Sequence, residues 1–372
     1  MIDRRWSGPL ALGLAAVGLI ALLATLAAWY NESRGWAYDF RAYYMAAQRL
    51  IETGSPYQAQ TLAGPFRPGP FGLYLYAPIL AGLFVPLTWL GEQGAVLVWL
   101  VLRVGALAAT CALMPIPRHL RFAVFGVAAL SAPVLVDLDL GNVSLLATLV
   151  AVLIWRWLDR PAAGICLAVV LIVRPAMALI AGWWLLRGQW RPVVWAAVGG
   201  AAIVLASLPF IGIERWVEFL TVLRNVSDVT GVQRNGDLGS SVLTLGGPAW
   251  LAQLALFAGY AVAISAVLLS PRRDRELSYV VTVMATLVLS PLMWDHYLTN
   301  LLVPTAFLMA RGRPWGLALP LLAWLPLVML PLVALAGLLL PFLAPARGGP
   351  INRVTVATGG PGLRDVTAGA GS

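Results

Sequence analysis

Hydrophobic runs of membrane-span length, separated by short loops that carry arginine, constrain this chain more than any other feature. The first, residues 9–29, follows Arg4 and Arg5, and its roughly 20 residues suffice to cross about 30 Å of hydrocarbon. It reads as an uncleaved leading helix. Of the 372 residues, 60% are hydrophobic and 11% charged, and the mean hydropathy of +0.83 lies outside the range of soluble globular domains. The chain is therefore expected to be an all-α polytopic membrane protein.

The arginines order the spans, because cytoplasmic loops collect positive charge. All 25 basic side chains are Arg and none is Lys, so the net charge of +9 is no Lys-rich nucleic-acid tail. Arg4, Arg5, Arg118, Arg121, Arg156, Arg160, Arg187, Arg191, Arg272, Arg273, Arg275, Arg311 and Arg313 all fall on one side if residues 71–90, broken by Pro78 and Pro86, only dip into the outer leaflet. Spans then run over 95–114, 122–140, 143–157, 193–210, 250–269, 277–292 and 298–310.

Residues 162–186 can be read in two ways, as one span or as a hairpin. Arg160 on one side and Arg187 and Arg191 on the other all belong inside, with Arg174-Pro175 in the middle. Halves of 162–173 and 176–186 would each be roughly 17–18 Å long, short for a crossing. A hairpin whose Arg-Pro tip opens into an outward-facing cavity is the preferred reading. Residues 315–343, interrupted by four prolines, form one tilted span or two short ones.

The expected total is eleven or twelve spans in one transmembrane domain, 1–345. Residues 30–94 form a first external loop with surface helices. Residues 211–248 form a second, with a surface helix at 216–223, and 346–372 form a disordered tail.

Within the first loop, Phe40, Tyr43, Tyr44, Ala47, Leu50 and Ile51 take the spacing of one apolar helix stripe. The stripe predicts a helix lying in the membrane surface. Asp39 stands where an N-cap belongs, and Gly54 with Pro56 marks the stop. Capping and chemistry are both open to Asp39 at this level.

No phosphate-cradling glycine loop, zinc spacing or nucleophile elbow is visible. Cys111 and Cys166 lie inside apolar runs far from either His, which suggests neither disulfide nor metal. Polar residues converge instead: Asp39, Asp139, Asn142, Arg174, Asp295 and His296 come from distant segments, and the topology sends them all to the outer face. Arg103 and Arg174 lie within apolar runs, where a charge costs about 2.5–3.5 kcal/mol even on lenient insertion scales, so each needs a partner.

Tyr38-Asp39-Phe40 with Tyr43-Tyr44 and Ala46-Ala47, then Gly54-Ser55-Pro56-Tyr57, resembles the first-loop signature of the polyprenyl-phosphate-mannose-dependent mannosyltransferases of glycosyltransferase family 87, which have a GT-C fold. The likeness continues in order through Tyr76-Ala77-Pro78, Pro86-Leu87, Gly141-Asn142-Val143-Ser144, Gly164, Arg174-Pro175, Leu289-Ser290-Pro291 and Trp294-Asp295-His296. The chain departs where the family usually has Gly-Gln with a following Asn, Lys in place of Arg174, and His-His in place of Asp295-His296.

The resemblance implies an inverting hexosyltransferase at the outer leaflet of the cell membrane, with no cofactor and no metal. A polyprenyl-phosphate sugar, mannose by the likeness, is the donor, and a membrane glycolipid or a glycan is the acceptor. Asp39 would be the general base, and Arg174 and His296 would hold the donor phosphate. Tyr43, Tyr44, Tyr57, Asn142 and Asp295 would bind substrate. A lipid-linked glycan flippase or small-solute transporter is the alternative, and such proteins tend to show internal repeats. No repeat is visible here.

Overall fold

In hydrocarbon, a backbone without water must satisfy its N–H and C=O groups internally, and helices do this within one segment. The computed structural model describes residues 4–31, 37–64, 73–226, 235–272 and 274–344, which contain helices and no strand. The tail expected to be disordered lies outside these residues.

The leading helix, α1 (Arg4–Asn31), packs on α6 (Arg118–Ala129). Between them come the loop helices α2 (Tyr38–Thr53) and α3 (Ala59–Ala63), the short apolar α4 (Pro78–Thr88), and the long α5 (Gly91–Leu113). α6 bends by 62° into α7 (Ala132–Leu140), and α8 (Ser144–Arg156) leads back. Next are α9 (Pro161–Leu171), α10 (Leu179–Leu186), α11 (Trp190–Ile211) and the loop helix α12 (Ile213–Val226). A short α13 (Leu238–Thr244) precedes α14 (Ala249–Leu269), α15 (Arg275–Val288), α16 (Leu302–Ala310), α17 (Ala318–Leu322) and α18 (Leu330–Leu339). A 3-10 turn over Asp295–Leu301 leads into α16.

Among the described residues, four helices are long and apolar enough to cross a membrane, and the bent α6–α7 pair makes a fifth. The remaining apolar runs that were expected to supply spans are divided into helices of 10–17 residues or shorter.

Arginines assigned to one side do meet at one end. Arg156 bonds the Leu113 carbonyl, Arg275 pairs with Asp159, Arg187 bonds the carbonyls of Ser270 and Arg272, and Arg311 grips Asp274. This grouping resolves the two divided runs. Asp159 precedes α9 and meets Arg275 at the start of α15, and Arg187 follows α10 and meets residues 270–272 just before it, so 161–186 turns back on itself as a hairpin with Arg174 at the far tip. Arg313 likewise bonds the Leu343 carbonyl while Leu327 reaches the opposite end, so 314–343 is two short arms. Gly164 lets α9 lie directly on α11, since a Cβ there would run into the Pro192 carbonyl.

Two expectations for the first loop need correcting. The apolar stripe of α2 packs on protein over its first three turns and is exposed only at its end, at Ile51: Phe40 and Tyr43 are buried against Phe84 of α4, and Tyr43 also meets Trp99 of α5. Burial against a protein neighbour satisfies the same periodicity as a membrane surface, so the pattern alone does not distinguish them. Asp39 is not the N-cap. The helix starts at Tyr38 behind Ala37, whose left-handed φ of 69° is held by a 2.6 Å bond from its N–H to the Asp139 carbonyl. Gly54 closes the helix as expected, with φ 79°.

Candidate active site

Asp39 on the first turn of α2, Arg174 at the hairpin tip and His296 on the 3-10 turn all face one cavity of about 770 Å³. Tyr38, Tyr43, Tyr76, Ser290, Trp294, Asp295 and Tyr297 complete its polar and aromatic part. Leu73, Leu75, Leu223, Val226, Leu292 and Leu327 form apolar wall, with α12 of the second loop supplying two of them. An elongated apolar group and a polar head could thus be accommodated together.

The turn between α7 and α8 joins the charges. Gly141 takes φ 78°, and a Cβ on it would stand 2.7 Å from Phe40 Cβ, so only glycine lets α2 come this close. On that turn Asn142 Nδ2 donates to Asp39 Oδ2 at 2.6 Å and lies 3.3 Å from the Tyr76 hydroxyl. Ser144 Oγ donates to Asn142 Oδ1 at 2.7 Å, and Arg174 Nη2 donates to Ser144 Oγ at 2.5 Å. The Arg174 guanidinium lies 3.4 Å over the Tyr297 ring, a cation–π stack that fixes its plane.

Beneath the turn lies a buried ion pair. Arg103 Nη1 donates to the Asp137 carbonyl at 2.5 Å and stands 3.9 Å from Asp137 Oδ2, with both side chains fully buried. Asp137 is the partner Arg103 requires. Its Oδ1 accepts the Ser144 N–H at 3.0 Å, and its carbonyl accepts the N–H groups of Gly141 and Asn142.

His296 is oriented by its neighbour: Nδ1 lies 3.3 Å from Asp295 Oδ1, while Nε2 is buried with no hydrogen-bond partner among the described residues. The segment is clamped from behind. Asn235 donates to the Pro291 carbonyl and accepts the Met293 N–H, both at 2.8 Å, and the Gly236 N–H bonds the Met293 carbonyl at 2.6 Å. Thr148 of α8 bonds Thr299 or Asn300 at 2.9 Å from the other side.

Burial pushes the Asp39 carboxyl above its usual value. The His296 ring and the Asn142 hydrogen bond act against this, and the charge of Asp295 adds to it. Burial would also raise Asp295, but hydrogen bonding and attraction to His296 hold it below the usual value. The phenols of Tyr43 and Tyr76 are pushed up by burial, so they serve as neutral hydroxyls.

Of the expected site residues, the cavity gathers Asp39, Tyr43, Arg174, Asp295 and His296. Asn142 is buried behind it and donates to Asp39 instead of lining the cavity. Tyr44 and Tyr57 do not line it: Tyr44 bonds the Thr88 carbonyl at the end of α4, and Tyr57 bonds the carbonyl of the wall residue Tyr76. Asp139 contributes its backbone to the start of α2 but does not line the cavity.

Ser144, Asp137, Tyr76, Tyr297 and Asn235 carry structural parts of the site that the sequence reading did not assign. Asp137 had a usable signal, since a charge inside the 122–140 run invites the same question as Arg103. Among the described residues no group of three or more His, Cys, Asp or Glu is arranged to hold a metal ion.

A family model described as Glycosyltransferase family 87 matches residues 74–291, more than half of the chain. No curated protein and no solved structure matches it.

Proposed function

The chain belongs to glycosyltransferase family 87, and from that premise we propose that it moves a hexose, mannose by its likeness to the family's known members, from a polyprenyl phosphate to a hydroxyl of a membrane glycolipid or glycan. Membership in a glycosyltransferase family sets the flippase alternative aside. The reading takes the cavity to open on the outer leaflet, because it lies at the end opposite the arginine loops.

One observation carries the chemistry: a carboxylate and a stacked guanidinium face the same cavity, with apolar wall beside them. In the proposed step Asp39 takes the proton from the acceptor hydroxyl as its oxygen attacks the anomeric carbon. The bond from that carbon to the phosphate oxygen breaks on the opposite face, so configuration inverts. The lipid phosphate leaves with a growing negative charge. Arg174 meets that charge with a planar fork suited to phosphate oxygens, and His296 adds Nε2 as a second donor when protonated. Leu73, Leu75, Leu223 and Val226 offer the prenyl chain an apolar path. No step is assigned to a metal or cofactor.

The test is turnover of the protein in lipid bilayers with a panel of polyprenyl-phosphate hexoses and a polyprenyl-pyrophosphate control, following free lipid phosphate and the anomeric configuration of the product. The reading expects release of lipid phosphate with inversion. Retention of configuration would defeat the role given to Asp39.

A further inference from the structure

Asp39 and Arg174 face the cavity, but the two residues between them do not. Asn142 is 1% exposed and Ser144 is fully buried. Arg174 can only donate hydrogen bonds and an ionised Asp39 can only accept them, so the polarity of everything between is fixed from both ends. Ser144 Oγ receives from Arg174 and spends its single proton on Asn142 Oδ1, which leaves the amide NH2 turned to Asp39. A flipped Asn142 would put its oxygen against the carboxylate and take away the acceptor of the Ser144 proton.

From this one-way chain of hydrogen bonds we infer that Ser144 and Asn142 are positioning residues that couple the donor-phosphate site at Arg174 to the base at Asp39. The inference rests on the functional reading above. Its physical content is reciprocal: whatever orders Arg174 also orders the acceptor for its N–H on Ser144, hence the Asn142 amide and the Asp39 carboxylate, and the same free energy works backwards. A phosphate in the cavity would engage further N–H groups of Arg174, whose fork has five, and fix the guanidinium from the other side.

The buried Arg103–Asp137 pair gives the chain its footing. Asp137 holds the backbone N–H groups of both Asn142 and Ser144, so the linking residues cannot drift when the ligand moves Arg174. This gives a charged pair beneath the site a function beyond mutual compensation.

The experiment uses the full chain in bilayers and the variant Ser144→Ala, which removes only Oγ and keeps the N–H that Asp137 caps. Two defects are expected from an atom that touches neither substrate. The KM for the lipid-phosphate sugar rises and kcat falls, each about tenfold, as Arg174 and Asp39 lose their registration. The acid limb of the kcat/KM profile also moves to higher pH, because Asp39 loses the fixed amide that favours its ionised form.

Charged or titratable groups around Asp39 are His296, Asp295, Arg103, Tyr43, Tyr76 and Tyr297, with Arg174 in the same cavity; the substitution removes none of them and takes a hydrogen bond from Arg174 alone. Ser144→Thr retains the hydroxyl and should restore both the limb and the KM. If Ser144→Ala does not accumulate, Ser144→Cys keeps the volume with a weak thiol and should show the same displacement to a smaller extent.

A Ser144→Ala enzyme with the wild-type acid limb and donor KM overturns the coupling, and so does a Thr variant as impaired as Ala. With Asp39→Asn inactive in the same assay, that result would leave the functional reading standing. A fully active Asp39→Asn would instead bring down the reading itself.

Discussion

Asp39 works from within the first turn of a helix whose start is fixed by Ala37 and the Asp139 carbonyl, so the helix does not need it as a cap. Asp39→Asn is nearly isosteric and should leave thermal stability close to wild type while lowering turnover at least about 10²-fold. Because burial raises this carboxyl, wild-type kcat/KM should fall, as pH drops, through a limb above the ordinary Asp value of about 3.9. A pH–rate profile flat down to that value would remove Asp39 as the base.

Arg174 makes a second residue-level case. Lys keeps the charge but lacks both the planar face that lies on Tyr297 and the fork that serves Ser144 and a phosphate together. Donor KM and kcat for Arg174→Lys should therefore fall between wild type and Arg174→Ala, and an Ala variant with normal turnover would contradict the phosphate role. Arg174 was legible in the sequence because a charge within an apolar run requires a reason, whereas Asp39 and His296 stood out only as polar residues that the topology sends to one face, their roles coming from the family likeness. Ser144 and Asn235 were not, since a small polar residue beside a helix end looks the same whether it is solvated or bridges two active-site groups.

At the scale of elements, the site depends on two segments that the chain brings together from a distance. The α9–α10 hairpin was readable from its arginine flanks and its Arg-Pro centre, because charge preference and span length cannot both be met by one crossing. The packing partner of α2 was not readable, since its stripe suits lipid and α4 equally. Nor did the prolines of 315–343 decide between one arm and two; the Arg313–Leu343 contact does.

The clamp of Asn235 and Gly236 on residues 291–293 was invisible for a similar reason, being a match of backbone groups between distant loops. It holds the stretch just before Trp294-Asp295-His296, so Asn235→Ala should loosen that stretch and lower kcat about tenfold with little change in donor affinity. A kcat within twofold of wild type would show that the segment is held without it. The turn at Gly141 is stricter: Gly141→Ala meets both a left-handed φ and Phe40, and should destabilise by about 1–2 kcal/mol or more, read as a lower melting temperature.

Across the whole molecule, the arginine loops gather at one end and the cavity sits at the other, an arrangement that short apolar helices alone would not enforce. Single-cysteine labelling in a background lacking Cys111 and Cys166 checks its orientation. Positions 52 and 214 should react from outside intact cells, and positions 160 and 313 only after permeabilisation. Outside labelling at 160 would overturn the hairpin. The polytopic all-helical class followed directly from hydropathy, whereas the division of most runs into short broken helices, which brings irregular backbone and charge to a shared cavity, did not.

The central claim is that this cavity transfers a sugar from a lipid phosphate by way of Asp39. Its most direct test is single-turnover transfer from a labelled polyprenyl-phosphate hexose in bilayers, comparing wild type with Asp39→Asn at matched donor occupancy. The account predicts stoichiometric release of polyprenyl phosphate by the wild type and at least about 10²-fold slower release by the variant. Equal release by both would contradict it.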